Sequence, residues 1–145
     1  MRTRTAARQL ALQALYQWDL LGDDFGRNLE GFLADWAKDP QAIPYARELT
    51  LGCRDHLAEI DEKIEGLSRH WALDRMTAVD RNILRLGAYE LLQTSEVPPR
   101  VAIDEAVDLA KHFSTRQAAG LVNGILDKIM NSAARDRFGG STRMS

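Results

Sequence analysis

The residue pattern predicts an all-α protein, on three observations. Apolar residues recur at i, i+3, i+4 and i+7 in each long segment. No segment alternates apolar and polar residues as a half-buried strand would. The interruptions fall on helix stop signals: Gly22-Asp23-Asp24, Pro40 and the pair Pro98-Pro99.

The first helix is predicted over residues 5–21, with Ala7, Leu10, Ala11, Ala14, Leu15, Trp18 and Leu21 on one face. Arg4 and Arg8 fall at the border of that face, with Gln9, Gln13 and Tyr16 further round towards solvent. Up to Trp18 the chain holds Arg2, Arg4 and Arg8 and no acid. That imbalance marks a candidate anion-binding patch, with Tyr16 and the two glutamines able to touch bases. The same residues also fit a solvated helix face carrying a half-buried tyrosine.

A short helix follows, with Leu29, Phe32, Leu33 and Trp36 in register, and ends before Pro40. The third and longest is predicted over 41–68. It buries Tyr45, Ala46, Leu49, Cys53, Leu57, Ile60, Ile64 and Leu67, and turns Arg47, Glu48, Arg54, Asp55, Glu59 and Glu62 to water. After Trp71 and Leu73, Asp74 or Thr77 is placed to cap the next helix.

The fourth helix starts at Ala78 and carries the densest pattern. Val79, Ile83, Leu84, Leu86, Gly87 and Leu91 share one side, and Arg81, Asn82 and Arg85 lie opposite. Glu90 lands in the middle of the apolar side. A bare buried carboxylate is costly, so Glu90 must accept hydrogen bonds from something close. The free backbone N–H groups of the helix after Val97-Pro98-Pro99 are the natural donors, which makes Glu90 a clamp between two helices.

The fifth helix, over 100–113, buries Ala102, Ile103, Ala106, Val107, Leu109, Ala110 and Phe113, and shows Asp104, Glu105, Asp108, Lys111 and His112. Ser114 or Thr115 caps the sixth, which buries Ala118, Leu121, Val122, Ile125, Leu126 and Ile129. Apolar spacing stops near Ala134, so 134–145 is expected to be a disordered tail. The chain therefore reads as one domain over 1–133 with six or seven helices. The turn at Trp71 divides it into subdomains of about 1–70 and 71–133 that share a core.

Composition narrows the function. A length of 145 residues suffices for one real core, and 45% hydrophobic with 28% charged residues is ordinary for a soluble globular chain. The net charge of −2 supplies no global attraction for nucleic acid, so any such contact must come from a local patch. Cys53 is the one cysteine, which fits a reducing compartment, and its neighbours Leu49, Leu57 and Ile60 mark it as a small buried residue. The N-terminus lacks a signal-peptide run, and no stretch approaches a membrane span. A soluble cytoplasmic protein is expected.

Catalytic patterns are not found. His56, His70 and His112 lack the spacing of metal ligands, so no metal is expected. No Gly-rich loop follows a strand, no base adjoins Ser114 or Thr115, and the acidic pairs point outward. An enzyme and a cofactor are therefore not expected, and a binding module is.

Four runs carry a resemblance: ARQLALQALYQW at 7–18, VDRNILRLGAYEL at 79–91, VPPRVAIDEAVDLAK at 97–111 and LVNGILDK at 121–128. In this order, over about residues 4–129, they resemble the family of the bacterial transcription antitermination factor NusB. The resemblance implies two packed three-helix bundles and a non-enzymatic, cytoplasmic role in transcription of ribosomal RNA. It implies pairing with a small-subunit ribosomal protein, called NusE in this role. The pair binds the boxA element of ribosomal RNA leader transcripts and helps RNA polymerase, in its antitermination complex, read through terminators.

By resemblance the RNA lies across the first helix and the start of the last. The matching positions are Arg4, Arg8 and Tyr16, with Lys111, Arg116 and Gln117, and the local patch adds Arg2 and Gln13. The arginines would then gather where two helix beginnings meet, offering phosphate contacts beside a tyrosine for bases. NusE would dock on the second bundle, with Asp80, Arg81 and Arg85 as its polar contacts. Asn123 and Gly124 match the family and are expected to be structural, through a hydrogen bond and close helix packing. Leu121 stands where the family commonly has phenylalanine, and 116–120 lacks the acidic and serine residues frequent there. These departures bear on the strength of RNA binding rather than on the fold.

Two other readings remain beside this one. A similar helical fold serves as the RNA-targeting domain of a ribosomal RNA cytosine methyltransferase, whose catalytic domain and cysteine would have to lie beyond this chain. A protein-binding helical adaptor, able to form a weak homodimer, would need no RNA face.

Overall fold

The computed structural model describes residues 2–68, 72–93 and 96–144, with side chains described through residue 133. Eight α-helices follow one another among the described residues: α1 (Thr3–Leu21), α2 (Asp23–Arg27), α3 (Leu29–Trp36), α4 (Ile43–Asp55), α5 (Leu57–Leu67), α6 (Ala78–Gln93), α7 (Pro99–Phe113) and α8 (Arg116–Met144). Short 3-10 turns at Pro40–Ala42 and Leu73–Arg75 lead into α4 and α6. No strand occurs among the described residues, and none of their helices is long and apolar enough to cross a membrane. His70 and Trp71 lie outside the described residues, as do the side chains of the tail expected at 134–145.

The all-α class is as expected, but eight helices replace six or seven, for two local reasons. Gly22 takes φ +76, a conformation open to glycine, and its N–H closes α1 on the Trp18 carbonyl. The chain then re-enters a helix at once, with Asp23 and Asp24 in the first turn of α2. The helix expected over 41–68 is in fact broken at His56 (φ −109, ψ 21) into α4 and α5. Cys53 and Ile60 are both fully buried on either side of this break. The apolar period runs straight through it, so periodicity could not reveal it.

The interior forms two apolar clusters. The smaller unites Ala7, Leu10 and Ala14 of α1 with Phe25, Leu29, Leu33, Ala42 and Ala46. The larger joins the other side of α1, through Ala11, Leu12 and Leu15, to α4, α5, α6, α7 and α8. The two clusters cut across the chain order: α5 gives Ile60 and Ile64 to the larger one, and α1 belongs to both. α6 packs against α1, α4, α5, α7 and α8, and is buried continuously from Asn82 to Ala88. Thr77 and Thr115 act as caps: the Asp80 N–H donates to Thr77 Oγ1 at 3.1 Å, and the Ala118 N–H to Thr115 Oγ1 at 2.9 Å.

Gly87 lets α7 and α8 close on α6. A Cβ there would stand 2.5 Å from Leu126 Cδ1 and 3.3 Å from the Ala106 Cβ. Gly87→Ala is therefore expected to destabilise the fold by roughly 1–3 kcal/mol through overpacking. A urea midpoint equal to that of the parent protein would show instead that Leu126 rotates away freely.

Candidate nucleic-acid interface

The expected clamp at Glu90 exists, with a different partner. Glu90 is 2% exposed and receives two parallel hydrogen bonds from Arg8, Nε at 2.8 Å and Nη2 at 2.9 Å. The Tyr45 hydroxyl donates to the same carboxylate. Burial, then the hydrogen bond and charge of Glu90, push the Tyr45 pKa up, so the phenol keeps its proton for this bond. The first helical positions of α7 could not serve, because Pro98 and Pro99 have no N–H and the N–H groups of Val101 and Ala102 turn to the Pro98 carbonyl.

Arg8 is accordingly not a phosphate contact. It is 3% exposed, and its Nη1 donates to Glu105 Oε1 at 2.8 Å. All three of its nitrogens donate to carboxylates inside the molecule, tying α1 to α6 and α7.

Arg81 and Arg85 are also drawn inward, contrary to their expected partner-binding role. Arg85 is 6% exposed and grips Asp61 with two bonds of 2.8 Å, while its Nη1 reaches Asn82 Oδ1 at 3.1 Å and Asp19 at 3.3 Å. Arg81 donates to Asp19 Oδ2 at 2.9 Å and to the carbonyls of Leu73 and Met76. Burial alone would raise the Asp19 carboxyl. The hydrogen bond from Arg81 and the charges of Arg85 and Arg81 outweigh it and hold Asp19 below its ordinary value.

What remains at the surface forms two cationic places rather than one. α1 and α7 run in the same direction on either side of a groove: Arg2 and Arg4 line one end of it with Val97, Pro98 and Val101, whereas Gln13 and Tyr16 share a groove with Phe113. The first turn of α1 therefore lies beside the first turn of α7, not beside that of α8. Arg2 and Arg4 line a groove of about 640 Å3 at one end of α7. Lys111, Arg116 and Gln117 are exposed at its other end, roughly 20 Å away by helical rise. Asp104, Glu105 and Asp108 lie between.

At the α7–α8 end two grooves adjoin. One, of about 280 Å3, is lined by Gln13, Tyr16, Gln17, Trp36, Val79 and Phe113 among others. The other, of about 360 Å3, holds Arg75, Thr77, Asp80, Thr115, Gln117 and Leu121. Asp80 Oδ1 is enclosed there with no hydrogen-bond partner among the described residues.

Phe113 and Trp36, which sequence reasoning assigned to buried faces, are 40% and 60% exposed. Each is the last residue of its helix, where the apolar stripe has no neighbouring turn to cover it. That terminal position was the available signal, as was Arg75 beside the α6 cap. Asn123 and Gly124 lack their expected structural roles. Both are exposed on α8, Asn123 has no side-chain hydrogen bond among the described residues, and a Cβ on Gly124 would meet nothing within 4 Å. Cys53 is fully buried and burial pushes its thiol up, so it carries no reactive thiolate.

Comparisons place this geometry among known proteins. The model of the NusB family matches residues 5–131. The transcription antitermination protein NusB of Sorangium cellulosum is 41% identical, over 93% of this chain and 96% of that protein. The NusB of Desulfitobacterium hafniense DCB-2 is 40% identical, over 97% of each. Among solved structures, NusB of T. maritima superposes with a TM-score of 0.81 at 37% identity, covering 94% of this chain and 96% of that one. The antitermination factors NusB and NusE in complex with double-stranded RNA include a chain that matches with a TM-score of 0.78 at 36% identity, covering 91% and 98%.

Two outcomes follow from the buried ion pairs. Glu90→Ala should cost about 3–5 kcal/mol in denaturant unfolding, because Arg8 is left buried without its bidentate partner, whereas the double change Arg8→Met, Glu90→Leu should cost less than that single change. Equal losses would mean that packing, not charge, sets the effect. For Asp19 the folded pKa lies below the unfolded one, so its contribution is complete above the ordinary carboxylate value and is lost as pH falls through it. Asp19→Asn should lower the melting temperature at pH 7, and the gap to the parent protein should narrow below about pH 4. A gap independent of pH would contradict the assignment.

Proposed function

The chain belongs to the NusB family, and from that premise we propose that it is an RNA-binding transcription antitermination factor. With the small-subunit ribosomal protein NusE it binds boxA RNA of ribosomal RNA leader transcripts, and within the RNA polymerase antitermination complex it promotes readthrough. The observation that carries the RNA-binding part is the α7–α8 corner. Lys111 and Arg116 are exposed there without an ion pair among the described residues, beside a groove that presents Gln13, Tyr16 and Phe113.

The division of labour follows from chemistry. Lys111, Arg116 and Arg2 supply phosphate contacts, which set affinity and its salt dependence. Gln117 and Gln13 offer amide donors and acceptors, and Tyr16 and Phe113 offer aromatic faces to unpaired bases. Arg8 serves this surface only by fixing α1. Asp80, rather than Arg81 or Arg85, is the polar contact for NusE: it lines the groove beside Thr115 and Gln117, and its carboxylate has no ion pair among the described residues. The role is one of binding, and no reaction is assigned to it.

The reading is tested by titrating boxA RNA with and without NusE over a range of salt. Lys111→Ala and Arg116→Ala should each weaken binding several-fold and lower the salt slope by about 0.7 per lost phosphate contact on a single strand. Asp80→Ala should weaken capture of NusE while leaving RNA binding by the chain alone unchanged. Affinity indifferent to Lys111 and Arg116 would remove this corner as the RNA face.

A further inference from the structure

The groove between the first turns of α1 and α7 contains an arginine held in an unusual way. The Arg4 guanidinium lies over the Tyr45 ring, 4.8 Å from its centroid, and the Arg8 guanidinium lies 5.8 Å from the same centroid. Tyr45 cannot drift, because its hydroxyl is bonded to Glu90, which Arg8 grips with two hydrogen bonds. A surface arginine is thus stacked on a ring that is anchored to the buried centre of the molecule. The Arg4 side chain remains 45% exposed and lines the groove with Arg2, Pro98 and Val101.

Its anionic contact is weak. Arg4 Nη2 reaches a single oxygen of Glu96 at 3.3 Å, and the Glu96 side chain is 69% exposed. An exposed pair of this kind contributes little and is readily exchanged. A guanidinium stacked by its face keeps its in-plane N–H fork available, and that fork matches two oxygens of a phosphate. Stacking also removes beforehand much of the rotamer freedom that a long side chain would otherwise lose on binding.

We propose that Tyr45 is a positioning residue for RNA binding: it holds Arg4 at the mouth of the α1–α7 groove, where Arg4 exchanges Glu96 for a backbone phosphate. This rests on the RNA-binding role described above. It sets Arg4 beside Arg2 as a phosphate contact at the far end of α7, and adds a residue that shapes this contact without touching RNA and a carboxylate that competes for it.

The test uses the full chain with NusE and boxA RNA. Arg4→Ala should weaken binding and lower the salt slope by about 0.7. Tyr45→Leu should weaken binding about two- to fivefold, and should have no further effect once Arg4 is alanine. Tyr45→Phe, which keeps the ring but loses the anchoring bond to Glu90, should weaken binding less than Tyr45→Leu and should lose stability. Glu96→Gln should tighten binding about twofold. Should Tyr45→Leu fail to fold, Arg4→Lys replaces it: the charge stays, the stacked fork goes, and affinity should fall.

A Tyr45→Leu effect that persists in the Arg4→Ala background, or an unchanged affinity and salt slope in Arg4→Ala, overturns the proposal. If Lys111→Ala and Arg116→Ala still respond, the RNA-binding role survives that failure. If the unaltered chain with NusE binds no boxA RNA, the role itself falls and this proposal with it.

Discussion

The structure depends on how α1 is fastened to α6. Near its start α1 offers a cation, Arg8, to Glu90 of α6, and near its end an anion, Asp19, to Arg81 and Arg85 of α6. Residue numbers rise along one helix as they fall along the other, so the two run antiparallel. The opposite signs at the two ends make the reverse orientation repulsive at both. A one-turn slip would leave at least one of these buried groups without its partner, which is a larger loss than the pairs' net contribution to stability. Hydrophobic contacts alone, non-directional and spread over Leu12, Leu15, Ile83 and Leu84, would not choose a register so sharply.

That fastening decides what the rest of the chain can do. With α1 fixed on α6, its smaller apolar side is left for α2, α3 and α4, and its outer side comes to lie along α7. Glu105 and Asp61 extend the two ion-pair groups to α7 and α5, so four helices are coupled through charged side chains at the edge of the core. The lone Tyr45 connects this interior to the surface. It bonds inward to Glu90 and presents its ring outward to Arg4, so the stiffness of the core is transmitted to a cation that solvent reaches.

Much of this was legible in the residues, and the limits have physical causes. Helical periodicity located α1, α3, α6, α7 and α8, because each has one side against a neighbour. Thr77 and Thr115 were readable as caps because capping chemistry is local. The need of Glu90 for a partner was readable too, since a carboxylate amid Leu86, Leu91 and Ala88 cannot stand alone. The partner was not: Arg8 is 82 positions away in sequence, and no local rule selects it over a nearby helix end. For the same reason Arg81 and Arg85 read as polar contacts for a partner, although Asp19 and Asp61 neutralise them in the fold. The break at His56 escaped because the apolar spacing continues across it. In the candidate site, Lys111, Arg116, Gln117, Gln13 and Tyr16 do share the α7–α8 end, but Arg2 and Arg4 lie at the other end of α7, since the direction of packing between α1 and α7 is set by tertiary contacts.

The internal use of arginine has a consequence for any polyanion. Arg8, Arg81 and Arg85 neutralise carboxylates inside the fold, so on a chain whose net charge is already −2 these three arginines are withdrawn from any polyanion. The cations of the candidate RNA surface are divided between the two ends of α7, with Asp104, Glu105 and Asp108 between them. A phosphate backbone laid flat along α7 would meet repulsion in the middle. Contact is therefore favourable at separated points, and each point holds its charge only loosely in the screened environment of the surface. Under these conditions the placement of each cation matters more than their number, because a side chain already held in its binding geometry loses less entropy on contact. Arg4, stacked on an anchored ring, meets that requirement within the chain itself. Lys111 and Arg116, free at a helix corner, are the ones whose contacts would gain most from a second protein that holds the RNA in place.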